Sequence, residues 1–312
     1  MSTVAVVDIG SNSIRLLIAR RSHDGRIEEL VRETNVTRLG QGVDTAGRLA
    51  DDAIQRTYAV LDRYALQIAE HECDDRIAVL TSAVRDSANG DTFAQTIRRD
   101  YDLEPHVLAG AEEARLTYLG ATSERDDDDV RPTLVCDIGG GSTELIVGVG
   151  PELRFRVSTQ AGVVRQTERH LHDDPPTQEQ MDALSSDVAA ILADHVPAEI
   201  RTAVEHGIAV AGTATSLAAI AQHLEPYDPK RVHGFRISVS ECERILAELA
   251  AMPLAQRREV PGLHPDRAPT IIAGVLIFAE VVRLFGLDEI EVSEHDILRG
   301  AALGLIGQDE EL

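Results

Sequence analysis

Two stretches of the chain place the same small-residue turn after the same acid. Val4 to Arg20, VAVVDIGSNSIRLLIAR, realigns with Thr133 to Val149, TLVCDIGGGSTELIVGV, so that Asp8 falls on Asp137, Gly10 on Gly139 and Ser13 on Ser142. In each copy a β-branched run precedes the Asp and a second apolar run follows the turn, the pattern of strand, tight turn and returning strand. Gly10, Gly139, Gly140 and Gly141 let main-chain N–H groups face a ligand with no Cβ in the way, which makes each turn a cradle for an anion. Ser11, Asn12, Ser13 and Ser142 add side-chain donors. Asp8 and Asp137 stand where a strand ends and could hold Mg²⁺ directly or through water. One such turn would be an ordinary glycine-serine turn; two copies between apolar strands point to phosphate chemistry.

A third element is HGIAVAGTATSLAAIA, His206 to Ala221, a short apolar strand running into Gly212-Thr213 and an alanine-rich helix. A glycine at that junction brings a helix N-terminus near an anionic or nucleotide ligand, though packing explains it equally well. Around these landmarks short strands (Ile77 to Thr81, His106 to Leu108, Arg154 to Ser158, Ile290 to Val292) alternate with helical stretches such as Asp51 to Glu70 and Asp91 to Asp100. That is α/β organisation, and 312 residues suit two cores better than one, with a cleft between them. SERDDDDVRP, Ser123 to Pro132, reads as a solvated interdomain loop, with cation chelation by its four aspartates as the alternative. Thr177 is placed to cap a helix from Gln178 to Leu192, and Ile271 to Ala279 reads as a buried helix.

The net charge of −23 opposes general affinity for nucleic acid or anionic membranes, so any phosphate site must be locally basic. No run approaches the ~18–20 apolar residues of a membrane span, and the start, MSTVAVVDIGSNS, has no basic n-region, which places the protein in the cytoplasm. Cys73, Cys136 and Cys242 fit neither a disulfide framework nor a zinc site and read as small buried residues.

The strings DIGSNSIRLLI, TSAVRDSANG, AGAEEARLTYLGA, DIGGGSTELIVG and AGTATSLAAI, in this order, resemble the exopolyphosphatase and guanosine pentaphosphate phosphatase family, a branch of the acetate kinase, sugar kinase, Hsp70 and actin superfamily. The resemblance implies two actin-like (ribonuclease H-like) α/β domains, taken as 1–128 and 129–312, with an interdomain cleft and a C-terminal helix that can pack back on the first. It implies that Glu113, in GAEEARLTYLG, positions and activates the attacking water, leaving open which of Glu112 and Glu113 faces the cleft. It also implies that Arg85 grips phosphate. Arg15 in the first copy stands where Glu144 stands in the second, which suggests that Arg15 and Arg85 hold phosphate while Asp137 and Glu144 hold metal. The alternative for Arg15 is an outward residue on a solvated strand face.

The expected reaction is hydrolysis of terminal phosphoanhydride bonds of inorganic polyphosphate, with Mg²⁺ offsetting the phosphate charge. Guanosine pentaphosphate is the alternative substrate, and a small-molecule kinase or a non-enzymatic nucleotide switch are further readings. Longer family members continue into a helical C-terminal region that helps hold long polymer. Here the chain ends soon after VSEHDILRGAALGLI, so short polyphosphate is the expected preference. The resemblance also makes a homodimer the expected assembly. Arg38, Arg165, Lys230, Arg231, Arg236 and Arg267 are the other basic residues that could guide a polyanion.

Overall fold

The computed structural model describes residues 2–22, 27–126 and 128–308. It divides into two compact units, one built from the chain up to Ser123 together with the stretch from His295, the other from Glu124 to Glu294. Set against the expected 1–128 and 129–312, the first crossing lies at Ser123/Glu124, and the last stretch of chain belongs to the first unit.

The first unit holds a five-stranded sheet of order β3-β2-β1-β4-β5, with β1 (Thr3–Ile9), β2 (Ser13–Arg21), β3 (Ile27–Val36), β4 (Asp75–Leu80) and β5 (Glu104–Val107). β1, β2 and β3 form an antiparallel meander, and β4 and β5 continue from β1 in parallel. The continuous apolar run of β1 is that of a strand covered on both faces. Because side chains alternate across a strand, Ala5, Val7 and Ile9 enter one core, with Leu61 and Tyr64 of the helix Asp51–Glu70. Val4 and Val6 enter another, with Leu116, Leu298 and Ala302.

The second core explains why the C-terminal helix Ile297–Gln308 joins this unit: it covers the other face of β1 and β2 and packs on the helix Gly110–Thr122. The two helices meet backbone to backbone. A Cβ on Gly120 would lie 1.9 Å from the carbonyl oxygen of Asp296, and one on Gly300 would lie 1.9 Å from that of Leu116.

The second unit repeats the plan. Its six strands are β6 (Thr133–Ile138), β7 (Thr143–Val149), β8 (Glu152–Thr159), β9 (His206–Val210), β10 (Arg236–Ser238) and β11 (Glu289–Val292), in the order β10-β11-β9-β6-β7-β8. Again an antiparallel meander, β6-β7-β8, is extended in parallel, here by β9 and β11. Each unit thus has the actin-like, ribonuclease H-like arrangement expected from the sequence. The helix Ile271–Leu284 is buried along most of its length within this core, as its unbroken apolar run requires. Thr177 caps Gln178–His195 in a full capping box with Gln180, and all three cysteines are buried. Among the described residues no helix is long and apolar enough to cross a membrane.

In the acidic stretch, Asp129 binds Arg131 (2.6 Å) and Arg125, which hold its carboxyl well below the usual range. Asp127 lies outside the described residues.

Candidate functional site

The duplicated turns are built alike. In the first, Ile9 pairs with Ile14 and the Gly10 N–H donates to the Ser13 carbonyl at 3.0 Å; in the second, Ile138 pairs with Thr143 and the Gly139 N–H donates to the Ser142 carbonyl at 2.9 Å. A Cβ on either first glycine would approach that carbonyl at 3.2 Å, the same tight spot in both turns.

Each turn also has its carbonyls drawn off by neighbouring donors. The Ser11 carbonyl accepts from Gly40 N–H (2.8 Å), and that of Asn12 accepts from Thr37 and Arg38 N–H (3.1 and 2.9 Å). Ser11 Oγ also lies 3.1 Å from Ser82 Oγ. In the second turn, Gly139 accepts from Val163 N–H (2.9 Å), Gly140 from Val164 N–H (2.8 Å) and Gly141 from Arg165 Nε (3.0 Å). With these lone pairs committed elsewhere, an approaching anion meets donors rather than acceptors. The second turn docks onto the start of the helix Val163–His170 through Gly162, whose Cβ would stand 2.4 Å from the Gly140 oxygen. The need for Gly162 was not legible from its neighbours in the chain, because it arises from a contact 22 residues away.

Behind the turns, Asp8 pairs across β1 and β2 with Arg15, and Asp137 pairs across β6 and β7 with Glu144. The copies have therefore diverged at one register position. In the first, Asp8 Oδ2 accepts from Arg15 Nε (2.7 Å) and Nη2 (2.6 Å), while Arg15 Nη1 donates to Asp296 Oδ2. This corrects one of the expectations for Arg15. It is not an outward residue on a solvated face: its guanidinium is turned to two buried carboxylates. Asp8 is buried, and burial raises its pKa against the pull of Arg15; its Oδ1 is buried with no hydrogen-bond partner.

The second copy places two carboxylates directly opposite on one face of the sheet, a destabilising pairing that a cation relieves. Glu144 is buried and accepts from Ser158 Oγ at 2.8 Å. Asp137 and Glu144 offer hard oxygen donors and no sulfur or imidazole, a set that fits Mg²⁺.

The remaining residues also sit beyond the C-terminal ends of parallel strands, where ligands of open α/β sheets bind. After β4 comes the short helix Ser82–Arg85, and after β5 the helix Gly110–Thr122 with Glu113 in its first turn. Arg85 Nη1 donates to the Leu108 carbonyl at 3.0 Å and lies 3.5 Å from Glu113 Oε2. Glu112 turns away to Arg115 at 2.8 Å, and this bond lowers its pKa. Its side chain is 45% exposed against 18% for Glu113, so it is Glu113 that stands with Arg85.

After β9, Ala211 takes φ +65° and the helix Ala211–Ala221 begins. Thr213 Oγ1 donates to the Ile138 carbonyl at 3.4 Å, tying this helix start to the second turn. Gly212 lies beneath Arg267, which donates from Nη1 to its carbonyl and to Ser216 Oγ, both at 2.9 Å; a Cβ there would meet Cζ at 2.9 Å. The first unit thus gathers Asp8, the Gly10–Ser13 turn, Arg85 and Glu113. The second gathers Asp137, Gly139–Ser142, Glu144, Gly212 and Thr213, with Arg267 added.

The model of the Ppx/GppA phosphatase family matches residues 17–306. Exopolyphosphatase 2 of Mycobacterium tuberculosis is 38% identical, over 98% of this chain and 99% of its own. Among solved structures, the Aquifex aeolicus Ppx/GppA family member is 30% identical with a TM-score of 0.83, covering 99% of this chain and 98% of its own. An exopolyphosphatase from Cytophaga hutchinsonii is 26% identical with a TM-score of 0.89, covering 98% of each chain.

Proposed function

The chain belongs to the Ppx/GppA phosphatase family, and from that footing we propose that it is an exopolyphosphatase that releases orthophosphate from the end of inorganic polyphosphate. The observation that carries the mechanism is the pairing of Glu113 with Arg85 while Glu112 is held away by Arg115.

Glu113 orients a water and takes its proton as the water oxygen bonds to the terminal phosphorus. The bond from that phosphorus to the bridging oxygen breaks, and the shortened polymer leaves with the bridging oxygen. Arg85 holds the terminal phosphate. In the first unit main-chain donors of the Gly10–Ser13 turn would stabilise charge on phosphate oxygens, and the second unit offers donors of the same kind at Gly139–Ser142 and at Gly212 and Thr213. In the second unit Asp137 and Glu144 would hold Mg²⁺, and in the first Asp8, through its unpartnered Oδ1, would hold Mg²⁺ by way of water. When bound, the ion neutralises negative charge on the phosphate oxygens. Arg15 fixes Asp8 rather than gripping phosphate.

The relative of Mycobacterium tuberculosis, an exopolyphosphatase along essentially its full length, favours polyphosphate over guanosine pentaphosphate. The test is orthophosphate release from short polyphosphate, long polyphosphate and guanosine pentaphosphate at matched concentration, with Mg²⁺ and with chelator. Turnover on polyphosphate that stops on chelation is the expected result. Turnover on guanosine pentaphosphate alone, or on none of the three, overturns the proposal.

A further inference from the structure

Asp296 is buried, and its carboxylate is used twice. Oδ1 accepts from Leu298 N–H at 3.0 Å at the start of the C-terminal helix, and Oδ2 accepts from Arg15 Nη1. Capping a helix needs no charge, since Asn or Ser serves as well and escapes the cost of burying an ion. The charge is accounted for by Arg15, whose other edge holds Asp8 Oδ2 through Nε and Nη2. A single carboxylate would satisfy a guanidinium; a second, on the opposite edge, stops it rotating.

The chain of alternating charge runs on. Arg32 Nη1 lies 3.8 Å from Asp296 Oδ1, Arg32 Nε binds Glu29 at 2.9 Å, and Arg299 lies 3.5 Å from Glu29 and donates to Ser123 Oγ at 2.9 Å. The Asp296 main chain makes the other connection: its carbonyl lies against Gly120, in the helix that carries Glu113.

We propose that Asp296 is a positioning residue for hydrolysis, fixing Asp8 through Arg15 and, through its main chain against Gly120, fixing the Glu113 helix relative to Asp8. One residue at the return of the chain into the first unit thus sets the spacing of two groups that the reaction uses. The inference rests on the roles proposed above for Asp8 and Glu113, and its test separates the two.

Asp296→Asn keeps a capping oxygen and removes the charge that holds Arg15. The expected result is a kcat on polyphosphate lower by about ten- to a hundredfold with KM within about twofold. Mn²⁺, used as an EPR-visible probe, should bind the substrate-free variant at least about threefold more weakly than wild type. The double variant Asp8→Asn/Asp296→Asn should be no slower than Asp8→Asn alone, because both changes act on one element. A purely structural role lowers the melting temperature and leaves Mn²⁺ affinity alone. Wild-type Mn²⁺ affinity in Asp296→Asn, no Mn²⁺ binding by the wild type, or additive losses in the double variant each overturn the proposal. Asp296→Ser, which also keeps the cap, serves if Asp296→Asn does not fold. Wild-type protein that binds Mn²⁺ but hydrolyses no polyphosphate sinks the substrate reading, and the Mn²⁺ comparison still decides the role of Asp296.

Discussion

Replacing Gly120 with Ala should damage both stability and turnover, by amounts that follow from the helix crossing. The added methyl would sit 1.9 Å from the Asp296 carbonyl oxygen and 2.8 Å from its carbon, where ordinary contact begins at 3.4 Å. The deficit on the oxygen is 3.4 − 1.9 = 1.5 Å, and neither neighbour is a side chain that can rotate away. The Glu113 helix and the C-terminal helix must therefore part. Overpacking of this kind costs up to about 3 kcal/mol, and the better helix propensity of Ala returns about 1 kcal/mol. The net is a loss of about 2 kcal/mol, a fall in melting temperature of several degrees. A displacement near 1 Å at a catalytic group is worth about a hundredfold, so kcat should fall by about that factor. Gly304→Ala, in the C-terminal helix where nothing lies within 4 Å of the new Cβ, is the matched control and should leave turnover unchanged. Phosphate-release kinetics and thermal melts on the two variants check this. Gly120→Ala with wild-type kcat and melting temperature would refute the crossing as the element that positions Glu113.

Two further outcomes follow from the first unit. Arg85→Ala should raise KM for polyphosphate and lower kcat together, since the arginine holds phosphate before and during transfer; steady-state kinetics showing a change in only one of the two contradicts that role. Tyr64, whose hydroxyl donates to the Ile14 carbonyl at 3.3 Å and accepts from Asn35, has its pKa pushed up to about 12, mainly by burial. The unfolded chain ionises this phenol from about pH 10, so its contribution is complete below that pH and is lost as pH rises through 12. Tyr64→Phe should flatten the fall in unfolding free energy between those limits, measured in urea, and an unchanged slope rejects the assignment.

The duplicated turns were legible because their requirement is local. A glycine whose N–H closes on a carbonyl three residues on leaves its mark within a short string, and Gly10 and Gly139 meet the same constraint in both copies. The strand-helix alternation was legible for the same reason, with the helix Asp51–Glu70 found at the bounds its periodicity marked. The ambiguity between Glu112 and Glu113 was not resolvable from adjacent identical residues; it took the position of Arg115, one turn on, to draw Glu112 outward.

The pairing of Arg15 was not legible, because its partner Asp296 lies 281 residues away in the chain. Gly120 and Gly300 were invisible for a related reason. A glycine in a helix reads as a weak helix former until the backbone that crosses it is known, and here each marks the other helix's carbonyl. Long-range packing, rather than local propensity, decides these roles.

Hydrolysis depends most directly on Glu113. Glu113→Gln keeps the size of the side chain and removes its ability to accept a proton, so phosphate release from polyphosphate should fall by about 10²–10⁴-fold while equilibrium binding of polyphosphate and the melting temperature stay at wild-type values. Glu112→Gln, altering only an exposed pair with Arg115, should turn over normally. Near-normal release by Glu113→Gln, or a large loss in Glu112→Gln with Glu113→Gln intact, would contradict the assignment of Glu113 as the group that activates water.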